Sequence, residues 1–218
     1  MRIDVFFDVV CPWCYIGKHR LGRALAVRPL PGLEIRWQPF QLNPEMPKQG
    51  IDRQSYIVAK FGGRERARQI NAVIAEAAAK EDLALDLSAI RRTPNTVEAH
   101  RLVRHAGELG EAARMVDALF AAYFVRGLDV GDRATLIEIA AEIGFDRKRV
   151  TGVLDSRMGV AEIQAADLRA RQLGIQAVPC FVFDGRYAVS GAQEPSAFLP
   201  LLDLAREHAV SVPQSERA

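Results

Sequence analysis

The chain has 218 residues, of which 49% are hydrophobic and 26% are charged, and its formal net charge is +2. This apolar content is enough to bury a core, which excludes an intrinsically disordered chain. Because acidic and basic residues nearly balance, there is no electrostatic reason to expect a nucleic acid or a membrane surface as a partner.

The N-terminus and the cysteine content bear on the compartment. The residues from Met1 to Asp4 form no charged leader ahead of a long apolar stretch. No window approaches the roughly 18 apolar residues of a membrane-spanning helix. The cysteines number three, and an odd number argues against the disulfide framework of a secreted domain. We therefore expect a cytoplasmic protein.

The chain opens with a strand, a helix and a second strand. Residues 3–10 are a short apolar run rich in valine and phenylalanine, which predicts a buried strand. Residues 14–27 have helical periodicity, and residues 33–40 alternate between apolar and polar side chains. Elements in this order favour a parallel βαβ unit.

The pattern changes over residues 44–157. Pro44 and Pro47 interrupt the chain, and apolar stripes at helical spacing follow. The strongest stripe consists of Met115, Val116, Leu119, Phe120, Tyr123 and Phe124. No strand-like alternation is found here, and no period recurs. The segment is therefore predicted to be a helical insertion of about five helices.

The last part of the chain returns to a mixed pattern. Residues 158–173 predict a helix, and residues 178–191 predict a β-hairpin with an Asp-Gly turn. A final helix begins at Pro195. The polar residues 211–218 predict a flexible tail.

Without residues 44–157, the remaining order of elements, βαβ followed by αββα, is that of thioredoxin. The sequence therefore predicts an α/β, thioredoxin-like fold with a large all-helical insertion. Residues 1–43 and 158–210 would form a discontinuous thioredoxin-like domain, and residues 44–157 a helical insertion domain.

Two cysteines separated by two residues follow the first strand. Cys11 lies where the first helix begins, and Cys14 lies one turn further on. The positive end of a helix stabilises a thiolate, which is the form of cysteine that attacks disulfides. We expect Cys11 to attack and Cys14 to resolve the mixed disulfide. The alternatives are two small buried residues or half of a metal site, although zinc needs four ligands and the histidines are scattered.

A second candidate feature begins the hairpin. In a thioredoxin-like order of elements, Pro179 has the position of a cis-proline beside the cysteine pair; the alternative is an ordinary edge-strand proline. The backbone of Val178 would then pair with an extended peptide. Cys180 is either a buried strand cysteine or a third thiol close enough to exchange with the pair.

Four further residues are candidates for supporting roles. Asp8 is either a strand-end carboxylate or a proton acceptor for Cys14. Pro12 has no N–H group and suits a first helical turn. Trp13 either only packs or also screens the sulfur atoms and touches the partner. His100 is expected to be a packed or surface histidine, with an approach to the active face as the alternative.

Together these residues resemble the DsbA-like thioredoxin-fold oxidoreductases of the FrnE-type branch, over nearly the whole chain. Four segments carry the resemblance: Asp8 to Cys14, Thr93 to Leu102, Val178 to Phe183, and Ser190 to Gln193. The resemblance implies dithiol–disulfide exchange without a bound cofactor or metal. It also implies that Cys11 and Cys14 are the active pair and that Pro179 is the cis-proline.

The same superfamily branch includes kappa-class glutathione transferases and 2-hydroxychromene-2-carboxylate isomerases, which carry serine at the position matching Cys11. The sequence therefore predicts a thiol–disulfide oxidoreductase that acts on protein or small-molecule thiols, with glutathione as one candidate co-substrate. A glutathione-dependent transferase or isomerase is the alternative, and a non-catalytic binding module is a third hypothesis. A monomer and a homodimer are both compatible with the sequence.

Overall fold

The computed structural model describes residues 1–211. The strands are β1 (Arg2–Phe7), β2 (Glu34–Pro39), β3 (Ile51–Asp52), β4 (Arg92–Thr93), β5 (Cys180–Phe183) and β6 (Tyr187–Ser190). The helices are α1 (Pro12–Val27), α2 (Arg53–Phe61), α3 (Arg64–Ala79), α4 (Val97–Glu108), α5 (Ala112–Phe120), α6 (Arg133–Glu142), α7 (Arg147–Asp155), α8 (Val160–Gln172) and α9 (Pro195–Ser211), and a π-helical turn (Ala121–Val125) continues α5. Within this range no helix has the length and apolar character needed to cross a membrane. The predicted tail lies, beyond its first residue, outside the described residues.

Four strands form the main sheet, in the order β2-β1-β5-β6. β1 and β2 are parallel, with Ile3 opposite Ile35, and β5 is antiparallel to both β1 and β6. The hairpin turns at Asp184 and Gly185, whose φ angles of 47° and 68° are both positive, as a type I′ turn requires. The predicted βαβ unit, hairpin and α/β fold class are confirmed.

The first strand ends earlier than predicted, because the chain turns at Asp8. The backbone N–H of Cys11 donates to the carbonyl oxygen of Asp8 at 3.0 Å. Val9 and Val10 are nonetheless buried, with 0% and 5% of their surface exposed. The apolar run therefore extends beyond the strand, and the turn places Cys11 immediately before α1.

Helices α1 and α9 cover one face of the sheet. Leu21 of α1 and Phe198 of α9 pack against Phe181 of β5 in one buried cluster. The rings of Phe181 and Phe198 meet edge to face, with centroids 5.0 Å apart. This packing fixes α1 against the strand that follows Pro179.

The segment between β2 and α8 contains six α-helices, where about five were predicted. All residues of the stripe from Met115 to Phe124 are fully buried, as predicted. The expectation of no strand is wrong, because β3 and β4 form a two-stranded antiparallel ladder. Strands of two residues are too short for alternation to be visible in a sequence. A Cβ at Gly50, where φ is +66°, would lie 2.6 Å from the carbonyl oxygen of Thr93, so this ladder requires glycine.

One apolar cluster joins the inserted helices to the other face of the sheet. The ring of Phe7 in β1 lies 6.1 Å from that of Phe120 in α5 and 5.1 Å from that of His100 in α4, between centroids. Cys11 and Cys14 belong to the same buried cluster. The cysteine pair therefore lies where the sheet meets the insertion. The division into two domains stays a prediction.

Candidate active site

Cys11 is the N-cap residue of α1. Its carbonyl oxygen accepts hydrogen bonds from the backbone N–H groups of Cys14 and Tyr15, at 3.0 and 3.3 Å. Pro12 occupies the first turn, where its missing N–H leaves no helical hydrogen bond unmade. Within residues 1–211, no side-chain hydrogen bond caps this end of the helix. Its positive end is therefore left to stabilise an anion at Cys11.

The Cys11 sulfur lies under the loop that precedes β5. Its thiol donates to the carbonyl oxygen of Val178, with an Sγ–O distance of 3.6 Å. Cys11 is 4% exposed and Cys14 is 2% exposed. Cys11 is thus only slightly more exposed than Cys14, and it contacts Val178. Attack on a disulfide therefore requires this sulfur to leave the Val178 carbonyl.

Cys14 lies one turn behind Cys11, in the apolar cluster. Burial, together with the hydrogen bond and the charge of the Cys11 sulfur, raises the pKa of the Cys14 thiol well above its usual value of 9.0. A backbone hydrogen bond from Asp8 acts in the opposite direction, and the Asp8 carboxylate adds to the rise. Cys14 is therefore held as a thiol.

Beneath the cysteines, Asp8 faces His100. Both side chains are 1% exposed, and Oδ1 of Asp8 lies 3.4 Å from Nε2 of His100. The contact does not satisfy hydrogen-bond geometry, and both atoms are buried with no hydrogen-bond partner in the described part of the chain. The other carboxylate oxygen of Asp8 accepts from the backbone N–H of Leu42 at 2.8 Å. The site therefore contains a buried carboxylate with one oxygen still able to take a proton.

The Val178–Pro179 peptide bond is cis, and Pro179 packs against α1. A Cβ added to Gly17 would lie 2.9 Å from Cγ of Pro179 and 3.2 Å from Cζ of Phe181. Glycine inside a helix is less favourable than alanine by about 1 kcal/mol, and this close approach explains its presence. The N–H of Gly191 donates to the Pro179 carbonyl at 2.8 Å. The two contacts fix Pro179 beside the first turns of α1.

Trp13 and Cys180 complete the surroundings of the pair. Trp13 is half-buried and packs against the cluster that contains the cysteines and against a second cluster between α1 and α3. Cys180 is buried with Cys11 and Cys14, and burial raises the pKa of its thiol. All three cysteines are free thiols.

A small cleft opens beside Pro12, with a volume of about 50 Å³. Arg53, Tyr56 and Lys60, all on α2, contribute to its lining. Sequence reasoning missed these residues. Their spacing of three and four residues puts them on one face of a helix, but the sequence gives no sign that this face meets the cysteine motif.

The residues singled out from the sequence lie around the first turn of α1 and the loop before β5. They are Asp8, Cys11, Pro12, Trp13, Cys14, Val178, Pro179 and Cys180. His100 is packed, and it also approaches the candidate site, as the alternative held, because its Nε2 faces Asp8. The role of Gly17 was missed, although a glycine inside a strong helical pattern is a signal of close approach. Among residues 1–211 no three His, Cys, Asp or Glu side chains are grouped so as to hold a metal ion.

Comparison with known proteins identifies the family. Residues 2–203 match the model of the DSBA-like thioredoxin domain. The chain belongs to the DsbA-like thioredoxin-domain family. A structure described as a probable DsbA oxidoreductase from Streptomyces coelicolor is 33% identical and superposes with a TM-score of 0.87, covering 98% of this chain and 92% of that one. Assignment to the FrnE-type branch stays a prediction.

Two more distant structures share the DsbA-like fold. The cytosolic disulfide reductase DsbM from Pseudomonas aeruginosa, determined with GSH, is 18% identical with a TM-score of 0.62, over 97% of this chain and 98% of that one. A 2-hydroxychromene-2-carboxylate isomerase is 18% identical with a TM-score of 0.69, over 96% of each chain. At this identity the likeness concerns the fold alone.

Proposed function

We propose that the chain is a dithiol–disulfide oxidoreductase in which Cys11 and Cys14 exchange disulfides with protein or small-molecule thiols. One observation carries the proposal: Cys11 caps α1 with its sulfur 3.6 Å from the Val178 carbonyl, while Cys14 is buried one turn behind it. Membership of the DsbA-like family supports the same chemistry.

In the reducing direction, the Cys11 thiolate attacks one sulfur of a substrate disulfide. A bond forms between the two sulfurs, and the other substrate sulfur leaves as a thiolate. Cys14 then loses its proton and attacks the Cys11 sulfur. This step forms the Cys11–Cys14 disulfide and releases the second substrate thiolate, so two electrons pass from the protein to the substrate. The oxidising direction is the reverse sequence.

Asp8 accepts the proton of Cys14 in this scheme. Because the pKa of the Cys14 thiol is raised, the resolving step needs a base inside the apolar cluster. The field of the Asp8 carboxylate acts on Cys14, and its Oδ1 has no hydrogen-bond partner. The proton can therefore pass to Asp8 without crossing to solvent.

Val178 receives the substrate backbone. In the free protein its carbonyl oxygen accepts the Cys11 thiol, and this acceptor becomes available once Cys11 has entered a mixed disulfide. An extended peptide can then pair with the edge formed by Val178, while Pro179 holds that edge against Gly17.

Trapping tests the proposal. The Cys14→Ala variant cannot resolve, so reaction with bis(2-hydroxyethyl) disulfide should leave a stable mixed disulfide on Cys11, located by peptide mapping. The same variant recovered from cells should carry its physiological partner. The Cys14→Ala/Cys180→Ala variant should give the same adduct, and Cys11→Ala/Cys14→Ala should give none. Absence of any adduct on Cys11 would contradict the proposal.

A glutathione-dependent transferase or isomerase is the second candidate, because a 2-hydroxychromene-2-carboxylate isomerase shares the fold. It predicts glutathione binding and activity that survives Cys11→Ser, whereas disulfide exchange predicts loss of activity. Glutathione is also the first small thiol to test as co-substrate of the oxidoreductase, since the DsbM structure contains GSH.

We place the activity in the cytoplasm. The support is the description of DsbM as a cytosolic disulfide reductase, and cytosolic thiols are kept reduced, which suits a dithiol enzyme. Cell fractionation followed by thiol alkylation tests this proposal. The protein should be recovered with cytosolic markers and with its cysteines accessible to alkylation after denaturation; recovery with periplasmic markers would contradict it.

A further inference from the structure

Among the residues that the structure describes, three arginines are buried, and one of these three has no counter-ion there. Arg20, Arg53 and Arg101 are 6%, 9% and 2% exposed. Arg20 is paired with Glu81, with Nε and Oε1 2.8 Å apart, and Arg101 is paired with Glu98. Arg53 forms no ion pair with any carboxylate in residues 1–211; its one side-chain hydrogen bond goes to Thr93.

Arg53 therefore has hydrogen-bonding capacity that a ligand could use. Because most of its side chain is removed from water, an ion pair formed here would be stronger than one at the surface. Arg53 is also the first residue of α2, where the positive end of the helix opposes a cation. The bond from Nη1 to Oγ1 of Thr93 is long, at 3.3 Å, and a guanidinium has five N–H donors. Most of its hydrogen-bonding capacity is therefore unused.

Arg53 lines the cleft beside Pro12 and also a second cleft of about 400 Å³, whose lining includes Asp86. Thr93 is the hydrogen-bond partner of one Arg53 nitrogen. Among residues 1–211, none of the other Arg53 nitrogens is fully buried, so they are accessible to a ligand. Lys60, two turns along α2, lines the cleft beside Pro12 as well, and its Nζ donates to the hydroxyl oxygen of Tyr56 at 2.6 Å. No carboxylate contributes to the lining of that cleft within the part of the chain described here. The cleft therefore presents two cations next to the residue that follows Cys11.

We propose that Arg53, assisted by Lys60, binds a carboxylate of the substrate while the substrate disulfide meets Cys11. The cleft volume of about 50 Å³ exceeds the roughly 10–15 Å³ that a cavity needs to hold one water molecule, which leaves room for a carboxylate group. The preferred substrates are thiols and disulfides that carry a carboxylate a few bonds from sulfur. The inference rests on the proposed function and specifies its substrate class.

Three symmetric disulfides that differ in charge test the subsite. They are 3,3′-dithiodipropionate (negative), bis(2-hydroxyethyl) disulfide (neutral) and cystamine (positive). The measured quantity is the second-order rate constant for adduct formation on pre-reduced Cys14→Ala protein, which isolates the attack step. The rate constants should fall in the order negative, neutral, positive. Arg53→Gln should lower the rate constant for the negative disulfide about tenfold and leave the neutral one within twofold.

Two further variants keep the test decisive. Lys60→Gln changes an exposed residue and should lower the rate constant for the negative disulfide alone, so the subsite can be tested even if Arg53→Gln does not fold. Arg68→Gln, on α3, changes an exposed arginine paired with Glu65 and should have no effect. Peptide disulfides flanked by glutamate or by glutamine then show whether the carboxylate is supplied by a small thiol or by a peptide.

The contradicting outcomes are distinct. If Arg53→Gln slowed all three disulfides equally, or slowed none, the carboxylate subsite would be wrong while the exchange chemistry stood. If the neutral disulfide did not react with Cys11 even in the parent protein, the proposed function would fail, and the subsite with it.

Discussion

The segments that build the main sheet and the segment inserted between β2 and α8 contribute different chemistry to the candidate site. All three cysteine sulfurs and Pro179 belong to the sheet side. The nitrogen groups near them, on Arg53, Lys60 and His100, belong to the inserted segment. In the proposed function, α1 and the loop before β5 would determine sulfur exchange, whereas the packing of the inserted helices would determine charge selection. Variants on the two sides should change different steps.

The largest effect is expected on the sheet side, at Cys11. Replacing Cys11 by alanine removes the attacking sulfur and should lower disulfide exchange by on the order of 10³-fold or more. Stopped-flow assays with a small disulfide measure this loss, and circular dichroism confirms the fold. Cys180→Ala should keep most of the activity. Comparable losses at both positions would mean that the third thiol takes part in the reaction.

The next largest effect is expected at the contact between Asp8, on the sheet side, and His100, in the inserted segment. Asp8→Asn keeps an acceptor for the Leu42 N–H but removes the base, so resolution of the mixed disulfide should slow by about 10²-fold while Cys11 attack is unchanged. His100→Phe keeps the ring contact with Phe7 and should slow resolution much less. Quenched-flow mass spectrometry follows both steps. Equal slowing in the two variants would assign the proton to the pair rather than to Asp8.

A matched pair of glycines in α1 tests how closely Pro179 must approach the helix. Gly17→Ala puts a Cβ 2.9 Å from the Pro179 ring and should lower the free energy of unfolding by about 1–3 kcal/mol. Gly22→Ala meets no atom within 4 Å and should raise it by about 0.5–1 kcal/mol. Urea denaturation compares the two. Stabilisation by Gly17→Ala would show that the Pro179 contact is looser than described.

The raised pKa of Cys14 gives the reduced protein a pH-dependent stability. The pKa of Cys14 in the folded protein lies above the value of about 9.0 in the unfolded chain. The stability that the protonated Cys14 thiol contributes to the folded protein is therefore complete below pH 9. It is lost as pH rises from 9 through the folded pKa, because the unfolded chain ionises first. The expected slope is up to about 1.4 kcal/mol per pH unit for this group.

Urea denaturation of the reduced protein at several pH values measures that slope. The Cys14→Ser variant should have a shallower decline, and Cys180, whose pKa is also raised by burial, accounts for part of what remains. An identical decline in Cys14→Ser would mean that Cys14 is not held as a thiol.

The smallest effect is expected far from the site, on the inserted side. Asp132 caps α6 by accepting from the backbone N–H of Thr135 at 2.8 Å. Asp132→Ala should lower the free energy of unfolding by about 1 kcal/mol, whereas Asp132→Asn keeps the cap and should change it little. Neither should alter the rate of exchange. A change in rate would show that α6 influences the cysteines through the shared core.

The elements with strong periodic or turn signals could be predicted from the sequence. The fully buried stripe from Met115 to Phe124 and the hairpin turn at Asp184 and Gly185 are examples. These features could be predicted because helical spacing and positive φ angles depend on residues that are neighbours in the sequence. The ladder of β3 and β4 was missed because it pairs residues about 40 positions apart through only two residues each.

The position of the cysteine motif at the start of a helix could be predicted, but its surroundings could not. The spacing of Cys11 and Cys14 indicates exchange, because the helix start and the cysteines are contiguous in the chain. The contact of Asp8 with His100, and the cleft that Pro12 and Arg53 both line, depend on how the inserted helices pack on the sheet. No local pattern encodes that packing, and a cation on a helix face usually marks only a solvated surface.

Peptide mapping of the wild-type protein after a single turnover tests the central claim most directly. Pre-reduced protein is mixed with one equivalent of bis(2-hydroxyethyl) disulfide, acid-quenched and digested without reductant. The expected product is a disulfide between Cys11 and Cys14, with Cys180 recovered as a free thiol. A disulfide that includes Cys180, or an adduct on Cys11 that Cys14 never displaces, would contradict the proposed roles.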